Sequence, residues 1–205
     1  MKKFFGFLLM VIAMTLVVSC SKDDKCYIHG SVDSDKYNGV RIFLVPLSDD
    51  SKEAVDSVVI QDRKFEFVSK RNEMAKILLD YHYRMGTQQL LVVLEPGDVN
   101  VVIGAISSAN GTPQNDSLDV WKRATETHNM EMGKLRHEAK QLTDTTKVAA
   151  LQVLADSIHN NHKRYTRRLA ANMKSGVLHD FLKDFYPTSY KKKMPDGTVV
   201  TVKDE

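Results

Sequence analysis

The spacing of hydrophobic and polar positions divides the chain into three stretches with different periods. The first is an apolar run, Phe7 to Met14, continued by Leu16-Val17-Val18 and preceded by Lys2 and Lys3. The second runs from Cys26 to Gly104. There "CYIHGSV", "GVRIFLVPL", "AVDSVVIQ", "KFEFVS", "AKILLDYHYRM", "QLLVVLE" and "DVNVVIG" are short β-branched or aromatic segments punctuated by Asp, Ser, Gly and Pro. About seven strands at roughly ten-residue spacing predict an antiparallel β-sandwich or a partly open barrel. In Lys64-Phe65-Glu66-Phe67 strict alternation puts both phenylalanines on one face. Glu95-Pro96-Gly97-Asp98 reads as a tight turn joining the last two strands, since proline presets one turn torsion and glycine accepts a positive one.

After Gly104 the period changes from two to between three and four. Ser107 to Gly111 reads as a loop, Thr112 as an N-cap and Pro113 as the first helical residue. Leu118, Trp121, Thr125, His128, Met132, Leu135, Ala139 and Leu142 form one stripe. After Thr143-Asp144-Thr145, a second contains Val148, Leu151, Ala155, Ile158, His162, Tyr165, Leu169 and Asn172. Two such helices joined by a short turn run antiparallel. A register that sets Leu135 against Ala155 also sets Trp121 against Leu169, Thr125 against Tyr165 and His128 against His162. Gly176 reads as the αL cap ending the second helix, and "VLHDFLKDFY" as a short third one. The expected fold class is therefore α+β, a sandwich or open barrel followed by an antiparallel helical hairpin and a short helix.

The apolar run at the start has the charged, hydrophobic, small-residue order of a secretory leader and is too short to span a bilayer comfortably. Val17-Val18-Ser19-Cys20 resembles a bacterial lipobox. The resemblance implies a leader at 1–19 that is removed, and lipidation of Cys20, which becomes the new N-terminus, with palmitate-type chains holding the protein to a membrane. Ser21 is not the aspartate of an inner-membrane retention signal, so the outer membrane is the expected location. Lys22-Asp23-Asp24 is similar to the export signal of Bacteroidetes surface lipoproteins, within a tether over 20–25. As plain residues the three are a solvated linker, and the cell surface and the periplasmic face both stay open.

Charge and cysteine content narrow the function classes. Of 29 basic residues, Lys2 and Lys3 lie in the leader, which leaves 27 against 26 acidic ones. Nothing in that balance favours nucleic acid, and Lys191-Lys192-Lys193 is an isolated run, read as a solvated edge. With Cys20 lipidated, Cys26 has no partner for a disulfide or CxxC chemistry and reads as a small hydrophobe in the first strand.

"CYIHGSV", "KFEFVS", "LLVVLEPGDVNVVIG" and "GTPQNDSL" together resemble the domain of unknown function 4369, found at the N-terminus of Bacteroidetes envelope proteins, over about Cys26 to Gln141. This chain has Arg63 where the family usually has glycine. In many members helices and then a thioredoxin-like thiol-disulfide oxidoreductase domain of the AhpC/TSA or TlpA type follow. "MPDGTVVTVKDE" looks like the first strands of such a domain, without its CxxC. The expected organisation is a sandwich domain over 26–111, helices over 112–187, and a C-terminal hairpin or the start of a thioredoxin-like domain over 188–205.

Two constellations carry candidate chemistry. His128 and His162, with His159 one turn before His162 and Glu131 one turn after His128, have the helical spacing of zinc ligands; the competing reading is a polar layer that sets the hairpin's register. Tyr81-His82-Tyr83-Arg84 places two aromatics on one strand face, as a ligand surface with Tyr27 or Trp121 or as cover for the core edge. No serine-histidine-acid spacing, glycine-rich phosphate loop, paired acidic motif or cofactor motif is present. The expectation is a non-enzymatic outer-membrane lipoprotein that binds a ligand or an envelope protein. The alternative is the N-terminal part of an envelope thiol-disulfide oxidoreductase.

Overall fold

A computed structural model describes residues 24–48, 51, 53–79, 89–194 and 198–203. The strands are β1 (Cys26–Val32), β2 (Arg41–Pro46), β3 (Asp56–Val59), β4 (Lys64–Ser69), β5 (Glu73–Leu79), β6 (Gln89–Leu94), β7 (Gly97–Ile103), β8 (Ser108–Asn110), β9 (Ser189–Lys193) and β10 (Val199–Lys203). The α-helices are α1 (Pro113–Gln141), α2 (Thr145–Asn172) and α3 (Val177–Phe185). Two four-stranded sheets, ordered β4-β1-β7-β8 and β3-β2-β5-β6, stack face to face, and β9 with β10 forms a separate pair. The architecture is α+β and the sheets do not close into a barrel.

Alternation builds the space between the sheets. In β4 the odd positions Phe65 and Phe67 face inward, their rings 5.9 Å apart edge to face, while Lys64 and Glu66 face solvent. Ile28, Val99, Val101 and Ile103 from the first sheet meet Ile42, Leu44, Ile77 and Val92 from the second, all fully or almost fully buried. The outer face of the second sheet carries another core. Met74 of β5 and Val93 of β6 pack against Leu118, Trp121, Ala170, Leu178 and Leu182 of the helices. The molecule thus has three layers, sheet on sheet on helices. β6 reads as a continuous apolar run because both its faces are covered.

Three sequence expectations are corrected. The sandwich is not purely antiparallel: β1 lies between β4, antiparallel to it, and β7, parallel to it. Ser107 to Gly111 is not all loop, since Ser108–Asn110 pairs with β7 and buries Ala109, a strand too short for its period to be visible. The Glu95-Pro96-Gly97-Asp98 turn joins β6 to β7 as expected. It carries the chain from one sheet to the other, with Gly97 at φ +126° opening β7 and donating to the Lys25 carbonyl at 2.9 Å. Gly176 is the N-cap of α3 rather than the αL end of α2, because its ψ of 170° is extended and α2 has already stopped at Asn172.

The turn before β4 forms without the family's glycine. Asp62 and Arg63 both take positive φ, as a two-residue hairpin requires, and the Asn38 side chain accepts from the Arg63 N–H at 2.8 Å. The helical hairpin forms as the stripes imply. Asp144 caps α2 by accepting from the Thr146 and Lys147 N–H groups. At 29 and 28 residues, α1 and α2 are each about 40 Å long. Their buried residues lie only at the end of the hairpin nearer the sandwich, Asn115 to Trp121 in α1 and His162 to Ala170 in α2. No helix among the described residues is long and apolar enough to cross a membrane.

Candidate functional site

Two of the sequence motifs that carry the family resemblance, the Glu95-Pro96-Gly97-Asp98 turn and the Gly111-Thr112-Pro113-Gln114-Asn115 cap, meet in space. Glu95, at the end of β6, is nearly buried. Its carboxylate accepts from the backbone N–H of Gln114 at 2.8 Å, the backbone N–H of Asn115 at 3.3 Å and the Gln114 side-chain amide at 2.9 Å. Those N–H groups belong to the first turn of α1, where a helix leaves donors unsatisfied and favours negative charge. The capping expected of the Thr112 side chain is therefore supplied by Glu95. Thr112 keeps the N-cap position, but its hydroxyl instead accepts from the Asn115 amide at 2.8 Å.

Asn115 is fully buried. Its side-chain oxygen accepts from the Val93 N–H at 2.9 Å and its amide nitrogen donates to the Val93 carbonyl at 2.8 Å. An amide has the same donor and acceptor pair as a peptide group, so Asn115 stands in for one residue of a neighbouring strand on the free edge of β6. The edge is closed to other chains by this pairing and by α1 above it. Gln114 completes the junction: its side-chain oxygen accepts from the Leu178 N–H at 2.9 Å, at the start of α3. A side chain at Gly176 would collide with that amide at 2.7 Å, which explains glycine there.

The histidines of the hairpin come together as the register implies. The rings of His128 and His162 stack 4.5 Å apart at 19°, His159 lies 5.8 Å from His128, and Tyr186 meets both His159 and His162 edge to face. Thr125 lies 3.3 Å from His162 Nε2, and the Trp121 indole donates to Thr166 at 3.0 Å one turn further on. Trp121 and Thr125 thus meet residues one turn from those the register assigns. Imidazole lone pairs lie in the ring plane, and two nearly parallel rings 4.5 Å apart do not aim them at one point. Among the described residues no group of three or more His, Cys, Asp or Glu has metal-site geometry, and Glu131 is exposed. The arrangement fits the polar register layer.

Burial, and then the neighbouring His128 and His159, lower the His162 pKa from its ordinary value of 6.5. The unfolded chain then binds the proton more tightly than the folded one. The contribution of neutral His162 to stability is complete above that value and is lost as the pH falls below it. His29 works in the opposite sense: its exposed ring lies 3.1 Å from Asp98 and 3.5 Å from Glu66, and the Asp98 hydrogen bond raises its pKa. Its contribution is present at low pH and lost as the pH rises through the raised value. In a His29→Ala background, which removes the opposing contribution, acidification from about pH 7 to about pH 5 is expected to lower the melting temperature followed by fluorescence of Trp121, the sole tryptophan. His162→Leu should flatten that dependence; an unchanged slope would remove His162 as its source.

The remaining sequence candidates are placed as follows. Cys20, Lys22, Asp23 and Tyr81 to Arg84 lie outside the described residues; Asp24 is exposed just before β1. Cys26 is buried in β1 as expected, and burial pushes its thiol up to about 11, so it is not a reactive thiolate. Trp121 belongs to the second core, against Phe181 and Phe185, not to an aromatic ligand surface. Sequence reasoning missed the roles of Glu95 and Asn115, whose partners lie far along the chain; an acidic residue at a strand end and a polar pair in a first helical turn were the available signals.

No curated protein and no solved structure matches the chain. A family model, the domain of unknown function DUF4369, matches residues 18–118. The match takes in both motifs of the junction and ends at Leu118, inside α1 and short of the Gln141 expected from sequence. The residues that lock the sandwich to its first helix are thus part of the matched unit, and the chain carries a DUF4369 domain.

Proposed function

We propose that the protein is a non-enzymatic lipoprotein of the outer membrane, a binding or interaction module held by lipid on Cys20. The observation that carries this reading is Val17-Val18-Ser19-Cys20 at the end of the apolar run, with charged residues directly after it and the first strand beginning at Cys26. The buried Cys26 thiol offers no thiol chemistry. The far half of the helical hairpin extends past the sandwich with Val153 and Leu154 exposed, a surface suited to an envelope partner.

Lys22, Asp23 and Asp24 are proposed to direct the protein to the cell surface. Changing all three to alanine is expected to abolish cleavage by protease added to intact cells while leaving total protein unchanged. Equal cleavage of both forms would remove the export role and favour the periplasmic face.

A second reading is supported by the β9–β10 pair, which joins neither sandwich sheet. In it the chain is the N-terminal part of an envelope thiol-disulfide oxidoreductase, with β9 and β10 the first strands of its catalytic domain. An in-frame CxxC downstream of Glu205 in the coding region would replace the first reading with this one.

A further inference from the structure

A cavity of about 300 Å³ lies between α2 and α3, and Tyr186, whose ring also meets His159 and His162, forms part of its wall. Ala170 and Ala171 on α2 leave the space, and Arg167, His179, Lys183 and Tyr186 stand around it. His179 and Lys183 are one turn apart on α3 and so share a face. Arg167 is held in place from the other helix, donating through Nε to the Tyr186 carbonyl at 3.2 Å and through Nη2 to the Pro187 carbonyl at 2.6 Å. No carboxylate is among the residues lining the cavity.

His179 sets this cavity apart. Both of its ring nitrogens are buried, and neither has a hydrogen-bond partner among the described residues. Buried polar atoms in native proteins are nearly always paired, and an orphan implies a partner from outside the chain. A water can serve such a nitrogen. Two cationic side chains beside it, with alanine and tyrosine as apolar walls, favour an anion with an organic body instead. Hydrogen bonds from charged donors to an oxyanion are stronger than those between neutral groups, and a cavity of this volume is at the lower end of the small-molecule range.

We infer that the cavity is a binding site for a small organic oxyanion, a phosphate monoester or a carboxylate, whose anionic head meets His179, Arg167 and Lys183. The inference rests on the reading of the domain as a binding module and gives it a ligand class. Its failure would leave the anchoring and export tests at Cys20 and Lys22 to Asp24 unaffected.

The test uses the full chain with histidine labelled for NMR, titrated separately with inorganic phosphate, phenyl phosphate and benzoate. A saturable shift of the His179 ring signals is expected with phenyl phosphate or benzoate, and the stronger of the two identifies the head group. Inorganic phosphate should bind more weakly, lacking the body that fills the apolar part. Lys183→Gln, an exposed change, and His179→Phe should each weaken binding by about tenfold or more with unchanged circular dichroism. No saturable shift with any of the three probes, or equal affinity in the folded Lys183→Gln protein, would overturn the assignment and leave His179 to water.

Discussion

Replacing Asn115 by alanine is expected to lower the stability of the fold by about 3 kcal/mol, the largest loss from any single polar side chain here. The substitution removes three hydrogen bonds, two of them to the Val93 backbone. It leaves the Val93 N–H and carbonyl without their partners in a fully buried place. Each such orphan costs about 1–3 kcal/mol, and no apolar replacement restores the pair. For a chain of this size the loss corresponds to a fall of about 10 °C in melting temperature. Asn115→Asp should also destabilise, because a carboxylate accepts from Val93 but cannot donate to its carbonyl. A change under about 2 °C in the alanine variant would show that the edge of β6 does not depend on this amide.

Cys20→Ala is expected to abolish attachment of fatty acid. In cells fed labelled palmitate, the native chain should carry label and the variant none. The native protein should resist extraction from membranes by high salt, since several acyl chains on one residue exceed the single chain that binds only reversibly. The variant keeps an uncut leader, so sedimentation alone does not distinguish the two forms, and the label does. Label retained on the variant would place the lipid elsewhere and remove the lipobox reading.

The two predictions address features of very different visibility. The lipobox is a local pattern, carried by four adjacent residues and their flanks. The Asn115 bond joins residues 22 positions apart, and "GTPQN" by itself suggests only the start of a helix. The same contrast recurs through the fold. The alternation of Phe65 and Phe67 and the stripes of the hairpin state which side faces inward, and His128 does meet His162 across the seam. Thr112 illustrates the opposite case. Its type and position predict a cap, yet Glu95 reaches the same N–H groups with a full negative charge and takes the role.

Sequence alone determined the strand segments over 26–79 and 89–94 and the helix segments over 113–185, the antiparallel course of the hairpin, the burial of Cys26 and the resemblance to the domain family. These rest on periods of two and of three to four, and on motifs of a few neighbouring residues, all of which are local. Tertiary structure decided that β1 pairs with β7 in parallel and that the Glu95 turn crosses between sheets. It also decided that Glu95, Gln114 and Asn115 bolt the helices to the sandwich, and that His179 faces a cavity. Each of these depends on which distant surfaces bury one another. Packing selects among many pairings with the same local pattern, so they are settled only when the chain has closed on itself.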